Sequence, residues 1–177
     1  MHLFAVRPIE SVTVADIAEE AGMTPAAVYY HYPSKDDLLL DGLRGFTTAL
    51  LDQLRAELRR PADDAGIGVA LVAVLGWTDE RRNPATTYFV TSPGLSVSVE
   101  ALRRETRLEM VKQLTAALRK RVPGIKAAQA SASATALLSL LEQSAASWLT
   151  EDSVFANLGR RRFSAEVVTL ARLISGP

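Results

Sequence analysis

Apolar residues along this chain recur at intervals of three and four, the spacing of one face of an α-helix. From Ser34 to about Arg59 the series is Leu39, Leu43, Phe46, Leu50, Leu54 and Leu58, which predicts one long helix ended by Arg60-Pro61. Ala62 to Gly66, with Asp63-Asp64, reads as a loop. Ile67 to about Glu80 is an apolar helix with Trp77 near its end, closed by Asp79-Glu80-Arg81-Arg82 and Asn83-Pro84. A short helix over Ala85 to Val90 carries Tyr88 and Phe89, and Ser92-Pro93-Gly94 breaks the chain again. Ser96 to Val122 reads as an amphipathic helix with Leu108, Val111, Leu114, Leu118 and Val122 as its stripe, and Glu100 to Arg104 as an i,i+4 pair. Pro123-Gly124 stops it. Ile125 to Thr150 is rich in small residues, with Ala127, Ala128, Ala130, Ala132, Ala134, Ala136, Ala145 and Ala146 beside Leu137, Leu138, Leu140, Leu141 and Trp148. The last helix, from about Val154, places Phe163, Val167, Leu170 and Ile174 on one stripe. Every predicted element is a helix, so the fold class is all-α.

The segment Thr13 to Leu40 carries three helix-start signals within 22 residues. Thr13 stands three before Asp16, Thr24 precedes Pro25, and Ser34 stands three before Asp37. Ser and Thr accept from the first free N–H groups of a helix, and an acidic residue at the third helical position completes the box. Proline fits the first helical position because its missing donor would be unpaired there. Helices are therefore predicted to begin near Val14, Pro25 and Lys35, with Ala21-Gly22-Met23 as a tight turn in which glycine takes a positive φ. Two short helices joined by such a turn form a helix-turn-helix, whose second helix can enter a DNA major groove. Val28 and Tyr32 share one face of that helix, while Ala26 and Tyr30 point roughly the opposite way. With Ala27 and the capping Thr24 they offer methyls and hydroxyls, groups suited to thymine methyls and phosphate oxygens. The bland rival is a structural helical hairpin with accidental caps.

Composition narrows the chemistry. In 177 residues, 48% are hydrophobic and the formal net charge is zero, enough for a buried core in one or two domains. There is no cysteine, and only His2 and His31 could supply imidazole, so no metal site and no cofactor is expected. With a single mid-chain histidine no nucleophile–base–orienter set can be assembled, and an enzyme is not expected. The longest apolar run, Gly66 to Trp77, is 12 residues and too short to span a bilayer. The apolar start Leu3 to Val6 meets Arg7-Pro8 at once, which is unlike a secretory leader, so a cytoplasmic protein is expected. From Met1 to Thr47 the basic residues are Arg7, Lys35 and Arg44, against seven acidic ones. That head is net negative, a poor footprint for a polyanion.

The motifs Thr13-Val14-x-x-Ile17-Ala18, Ala21-Gly22-Met23-Thr24, Val28-Tyr29-x-His31-Tyr32 and Ser34-Lys35-x-x-Leu38-Leu39 resemble the DNA-binding domain of the TetR family of bacterial transcriptional regulators. Beyond Leu40 the resemblance is one of layout. It implies a helix-turn-helix domain over residues 1–47, with an incomplete first helix ended by Pro8, and a helical ligand-binding and dimerisation domain over 48–177. It further implies that Thr24, Ala26, Ala27 and Tyr30 face bases and sugar, that Thr13, Tyr29, His31 and Lys35 hold phosphates of a double-stranded operator, and that Pro25 belongs to the same DNA-binding set. A small, largely apolar effector would release the DNA. Trp77, Tyr88, Phe89, Met110, Leu114 and Trp148 could line its pocket, with polar groups from Thr87, Gln113 or Ser144, or each could be ordinary core. The two C-terminal helices are expected to form a two-fold four-helix homodimer interface. The competing reading is a helical dimer of the same architecture that binds a small molecule or a protein and not DNA.

Overall fold

A computed structural model describes residues 1–60 and 66–176; of the loop expected over 62–66, residues 62–65 lie outside them and Gly66 opens a helix. Among the described residues there are helices and no strand. The order is α1 (His2–Val6), a 3₁₀ turn (Ile9–Ser11), α2 (Val14–Glu20), α3 (Pro25–His31) and α4 (Lys35–Arg59), then α5 (Gly66–Glu80) and α6 (Arg82–Thr86). A π-helical turn (Thr87–Thr91) leads to α7 (Val97–Arg121), α8 (Ala127–Thr150) and α9 (Ser153–Ser175). The all-α class read from the sequence is the observed one. No helix among the described residues is long and apolar enough to cross a membrane.

The three predicted N-caps are present as hydrogen bonds. Thr13, Thr24 and Ser34 accept from the amides of Asp16, Ala27 and Asp37 respectively. The long helix ends at Arg59, one residue before the capping Arg60. Its buried side chains Leu39, Leu43, Phe46, Leu50 and Leu54 belong to a core that also takes in Phe4, Ile9 and Val12 from the chain start and Leu71, Leu75, Leu114 and Leu118 from the body. At about 25 cal/mol per Å² of buried apolar surface, each of these contributes roughly 1.5–3 kcal/mol.

Four details differ from the sequence reading. Proline 84 was expected in a break, but it sits within α6 in the first turn, where its missing donor costs nothing. On α7 the buried face runs Val99, Thr106, Met110, Leu114 and Leu118, and Leu108 is 58% exposed. Threonine 106 hides its hydroxyl by donating to the Leu102 carbonyl at 2.8 Å, so a polar residue takes an interior position. Glu100 pairs with Arg103 at 3.4 Å and accepts from the Gly94 amide at 2.8 Å, in place of the expected Arg104. On α9 the interior stripe is Phe163, Val167 and Ala171, with Leu170 turned outward, and the helix is kinked at Gly159 (φ 70°).

Ala171 is interior because α5 comes very close at that point. A Cβ on Gly68 would lie 2.8 Å from the Val168 Cα and 3.2 Å from the Ala171 Cβ. Gly76, in the same helix, has nothing within 4 Å of such a Cβ. Gly68→Ala is therefore expected to lower the unfolding free energy by about 1–3 kcal/mol through overpacking. Gly76→Ala is expected to raise it by about 0.5–1 kcal/mol through the unfolded chain's entropy. Urea denaturation of the two variants beside the parent checks both signs.

Candidate nucleic-acid interface

The α2–α3 unit is built from local rules. At the start of α2, Thr13 and Asp16 exchange bonds, with the Thr13 amide donating to the Asp16 carboxylate at 2.8 Å and the Asp16 amide to the Thr13 hydroxyl at 3.1 Å. The Thr13 backbone donor holds the Asp16 carboxyl below the usual carboxylate range. At the end of α2 the Met23 amide reaches back to the Ala18 carbonyl at 2.8 Å and the Gly22 amide to Glu19 at 3.1 Å. This paired closure needs a left-handed residue at its corner, and Gly22 supplies φ +65°. Ala18, fully buried, lets α3 approach. Tyr32 leaves the end of α3 and donates its hydroxyl to Asp41 on α4 at 2.9 Å, which fixes the angle of α3 and raises the phenol's pKa.

So held, α3 buries Val28 and exposes the other side. Tyr30 is 86% exposed and Tyr29 55%, with Thr24, Pro25, Ala26 and His31 exposed and Ala27 half-buried. The Tyr30 and His31 rings meet edge to face at 5.2 Å. Thr13 is exposed at the start of α2. The structure thus brings Thr24, Pro25, Ala26, Ala27, Tyr29, Tyr30 and His31 onto one helix.

Lysine 35 departs from its expected role. Its ammonium donates to the carbonyls of Ile9 and Val12 at 2.8 Å each and to Glu10 at 3.4 Å. It fastens the turn before α2 to the start of α4, and all three of its donors are directed at carbonyls, not outward as a phosphate cation requires. Arginine 7 is also occupied, donating to the Ser11 carbonyl at 3.0 Å and lying 3.4 Å from Asp16. No sequence periodicity links position 7 to 16 or 35 to 9, so these fasteners were invisible beforehand.

The six expected pocket residues lie inside the helical body, with Tyr88, Phe89, Met110, Leu114 and Trp148 buried and Trp77 half-buried. Tyr88, Phe89 and half-buried Trp77 pack around Phe46, with ring centres 5.6–6.2 Å from it. Met110 and Leu114 are fully buried in the same core. Trp148, in the same core, meets the rings of Phe155 and Phe163 at 5.2 and 6.2 Å. Of the polar candidates, Thr87 bonds the Asn83 carbonyl at 2.9 Å, and Gln113 and Ser144 are interior. These residues belong to the core or pack against it, where aromatic rings fill space between helices, and the Tyr88 hydroxyl, the Trp148 indole N–H and both Gln113 polar atoms have no hydrogen-bond partner there. An open cleft of about 510 Å³ lies elsewhere, between α7 and α8, bordered by Glu100, Arg103, Arg104 and Arg107 with Leu108, Val111, Thr135 and Leu138.

Comparison with known proteins bears on the head and on the fold separately. A sequence model described as "Bacterial regulatory proteins, tetR family" matches residues 1–41. The HTH-type transcriptional repressor KstR2 of Rhodococcus jostii (strain RHA1) is 36% identical over 70 residues, 40% of this chain and 34% of that protein. KstR2 of Mycobacterium tuberculosis (strain H37Rv) is 39% identical over 61 residues, 34% of this chain and 28% of the relative. The chain thus matches about a third of the length of these relatives. Over nearly its whole length it resembles the crystal structure of a transcriptional regulator from Rhodococcus sp. Rha1, with TM-score 0.76, 24% identity, and coverage of 98% of this chain and 91% of that one. The fatty acid degradation regulator FadR from Bacillus halodurans superposes with TM-score 0.74 at 13% identity, covering 98% and 92% of the two chains.

Lys35→Met keeps the apolar stem and removes the ammonium, leaving the Val12 carbonyl without its donor and the Ile9 carbonyl with the Val12 amide alone. The expected cost is about 1–3 kcal/mol of stability, with faster amide exchange across residues 9–14. A variant as stable as the parent, whose DNA affinity responds less steeply to salt by about one phosphate, would restore the phosphate role.

Proposed function

We propose, from the premise that this chain belongs to the TetR family of bacterial regulators through its N-terminal residues, that it is a homodimeric DNA-binding transcription regulator, a repressor released by a small effector. The observation that carries the reading is the α3 surface. Tyr30 projects into solvent from a helix capped at its start, closed behind by Gly22 and anchored at its end by the Tyr32–Asp41 bond. Thr24, Pro25, Ala26, Ala27 and Tyr30 would face bases and sugar, and Thr13, Tyr29 and His31 the phosphates. Residues 1–47 would form the reading head and 48–177 the sensing and pairing body. A large exposed tyrosine beside two alanines is an expensive surface to leave to water and a useful one against thymine methyls.

Pairing through α8 and α9 is supported by what those helices leave uncovered. Leu170 and Leu173 are 46% and 74% exposed on α9, and Ala128, Ala132 and Ala136 are exposed at intervals of four on α8. Small side chains repeated at that spacing allow close helix approach, and two copies would bury the leucines. A two-fold pair would set its α3 helices about 34–36 Å apart, one turn of DNA. Such a protein would work in the cytoplasm beside the chromosome.

The exposed acids Glu19, Glu20, Asp36, Asp37 and Asp41 favour the second reading, a sensor of the same architecture that does not bind DNA. A salt titration on a palindromic site from the promoter of the chain's own gene separates the two. The regulator reading expects log affinity to fall linearly with log salt, and Tyr30→Ala to weaken the palindrome by about 1–3 kcal/mol while leaving random DNA and the melting temperature unchanged. Equal affinity for palindrome and random sequence in both proteins would leave the sensor.

For the dimer, sedimentation velocity at micromolar concentration is expected to show two chains per particle. Leu173→Glu is expected to give a folded monomer. A parent protein that sediments as one chain would end the pairing model.

A further inference from the structure

We propose that the cleft between α7 and α8 is the effector site, and that it takes an amphiphile whose anionic head, a carboxylate or a phosphate, lies on Arg104 and Arg107 while its apolar chain covers Leu108 and Val111. This deepens the regulator reading and rests on it only for the DNA step.

The cleft has the size of a small-ligand site, about 510 Å³. Three guanidinium groups border it within five residues of α7, a crowding of like charge that the nearby acids do not relieve evenly. Glu142 is engaged by Arg107 at 2.6 Å, and Glu100 by Arg103 and the Gly94 amide. Arg104 is exposed and has no carboxylate within ion-pair reach among the described residues. Guanidinium groups bind carboxylate and phosphate oxygens through paired donors, and do so best at a partly dried surface. Leu108 supplies that surface, standing 58% exposed at the cleft when the neighbouring turns of α7 carry interior leucines. An ion alone would leave it wet, and an apolar molecule alone would leave Arg104 without a counter-charge. An anionic amphiphile satisfies both.

Arg103 gives the cleft a connection to the head. It donates to the Tyr88 carbonyl and lies 4.8 Å over that ring. Tyr88 is in the π-helical turn, whose i→i−5 closure is the Ser92 amide on the Thr87 carbonyl at 2.9 Å. From the far end of the turn, Thr91 donates its hydroxyl to the Phe4 carbonyl of α1 at 2.8 Å. An anion that draws Arg103 into the cleft removes a donor from the turn, and the turn's hold on α1 changes with it. Wide turns of this kind are costly to form and are frequent at working sites. Arg103 and Thr91 are positioning residues, and Arg104 and Leu108 make the contact.

Calorimetric titration of the full chain with dodecanoate, dodecyl phosphate, dodecan-1-ol and inorganic phosphate, each below its micelle concentration, tests the site. The two anionic amphiphiles are expected to bind, with the alcohol and inorganic phosphate weaker by about tenfold or more. The stronger of the two anions identifies the head group. Arg104→Ala and Leu108→Asp, both at exposed positions, are each expected to weaken the anionic probe about tenfold with unchanged melting temperature. An alcohol that binds as well as the acid, no binding of any probe, or parent-like binding by both variants would overturn the site. In a DNA-binding assay the anionic probe is expected to lower parent affinity. Thr91→Val is expected to bind the probe normally and to lose that response. A full response in Thr91→Val would overturn the route through the π turn. Absence of DNA binding before any probe is added would count against the regulator reading and leave the calorimetric result standing.

Discussion

One apolar stripe on α4 serves two parts of the molecule at once. Leu39 and Leu43 lie in the same buried cluster as Phe4, Ile9 and Val12, and Phe46, Leu50 and Leu54 continue that cluster into the body without a break in the helix. A helix interior bends most readily at a Pro, a Gly, a wide turn or an inserted group; α4 has no proline, and it runs unbroken through Gly42 and Gly45. A stiff α4 would carry a displacement of α7 or α5 against its upper part to its lower part as a tilt. The head has no independent core of useful size, so its stability and its orientation are both set by that shared stripe.

The same economy shows in the charges. A head that reads DNA normally spends its cations on phosphates, since counterion release dominates the affinity. Here Lys35 is spent on three backbone carbonyls and Arg7 on Ser11 and Asp16. Both serve the short segment before α2, where five-residue α1 and a single 3₁₀ turn leave many carbonyls without helical partners. Folding that segment and attracting a polyanion draw on the same few residues. The outward face of α3 is left with hydroxyls and methyls, groups that discriminate between surfaces more than they attract one.

Local chemistry was legible in the sequence and long-range chemistry was not. The three caps, the positive φ at Gly22 and the limits of α4 follow from residues within four positions of one another. The phase of α7 was misread because Thr106 can bury its hydroxyl on its own helix, so polarity did not mark the outside. The outward turn of Leu170 follows from the backbone contact at Gly68, sequence-distant by a hundred residues. The fasteners on Arg7 and Lys35 and the kink at Gly159 likewise carry no periodic signature.

The expected pocket residues show why large aromatics are ambiguous in a sequence. Large aromatic residues spread over several helices suggest a lined cavity, yet the same residues are the best material for filling one. Phe46, read in the sequence only as part of the α4 stripe, holds Trp77, Tyr88 and Phe89 together. The Tyr88 hydroxyl, the Trp148 indole N–H and both polar atoms of Gln113 are buried without a hydrogen-bond partner, and the α7–α8 cleft carries unsatisfied groups of another kind. On α7 those are an apolar residue in solvent and a cation without a carboxylate, adjacent to an arginine whose donors already reach the π turn. The polar pattern of α7, which blurred its reading as a simple amphipathic helix, is thus better explained by the cleft than by the core.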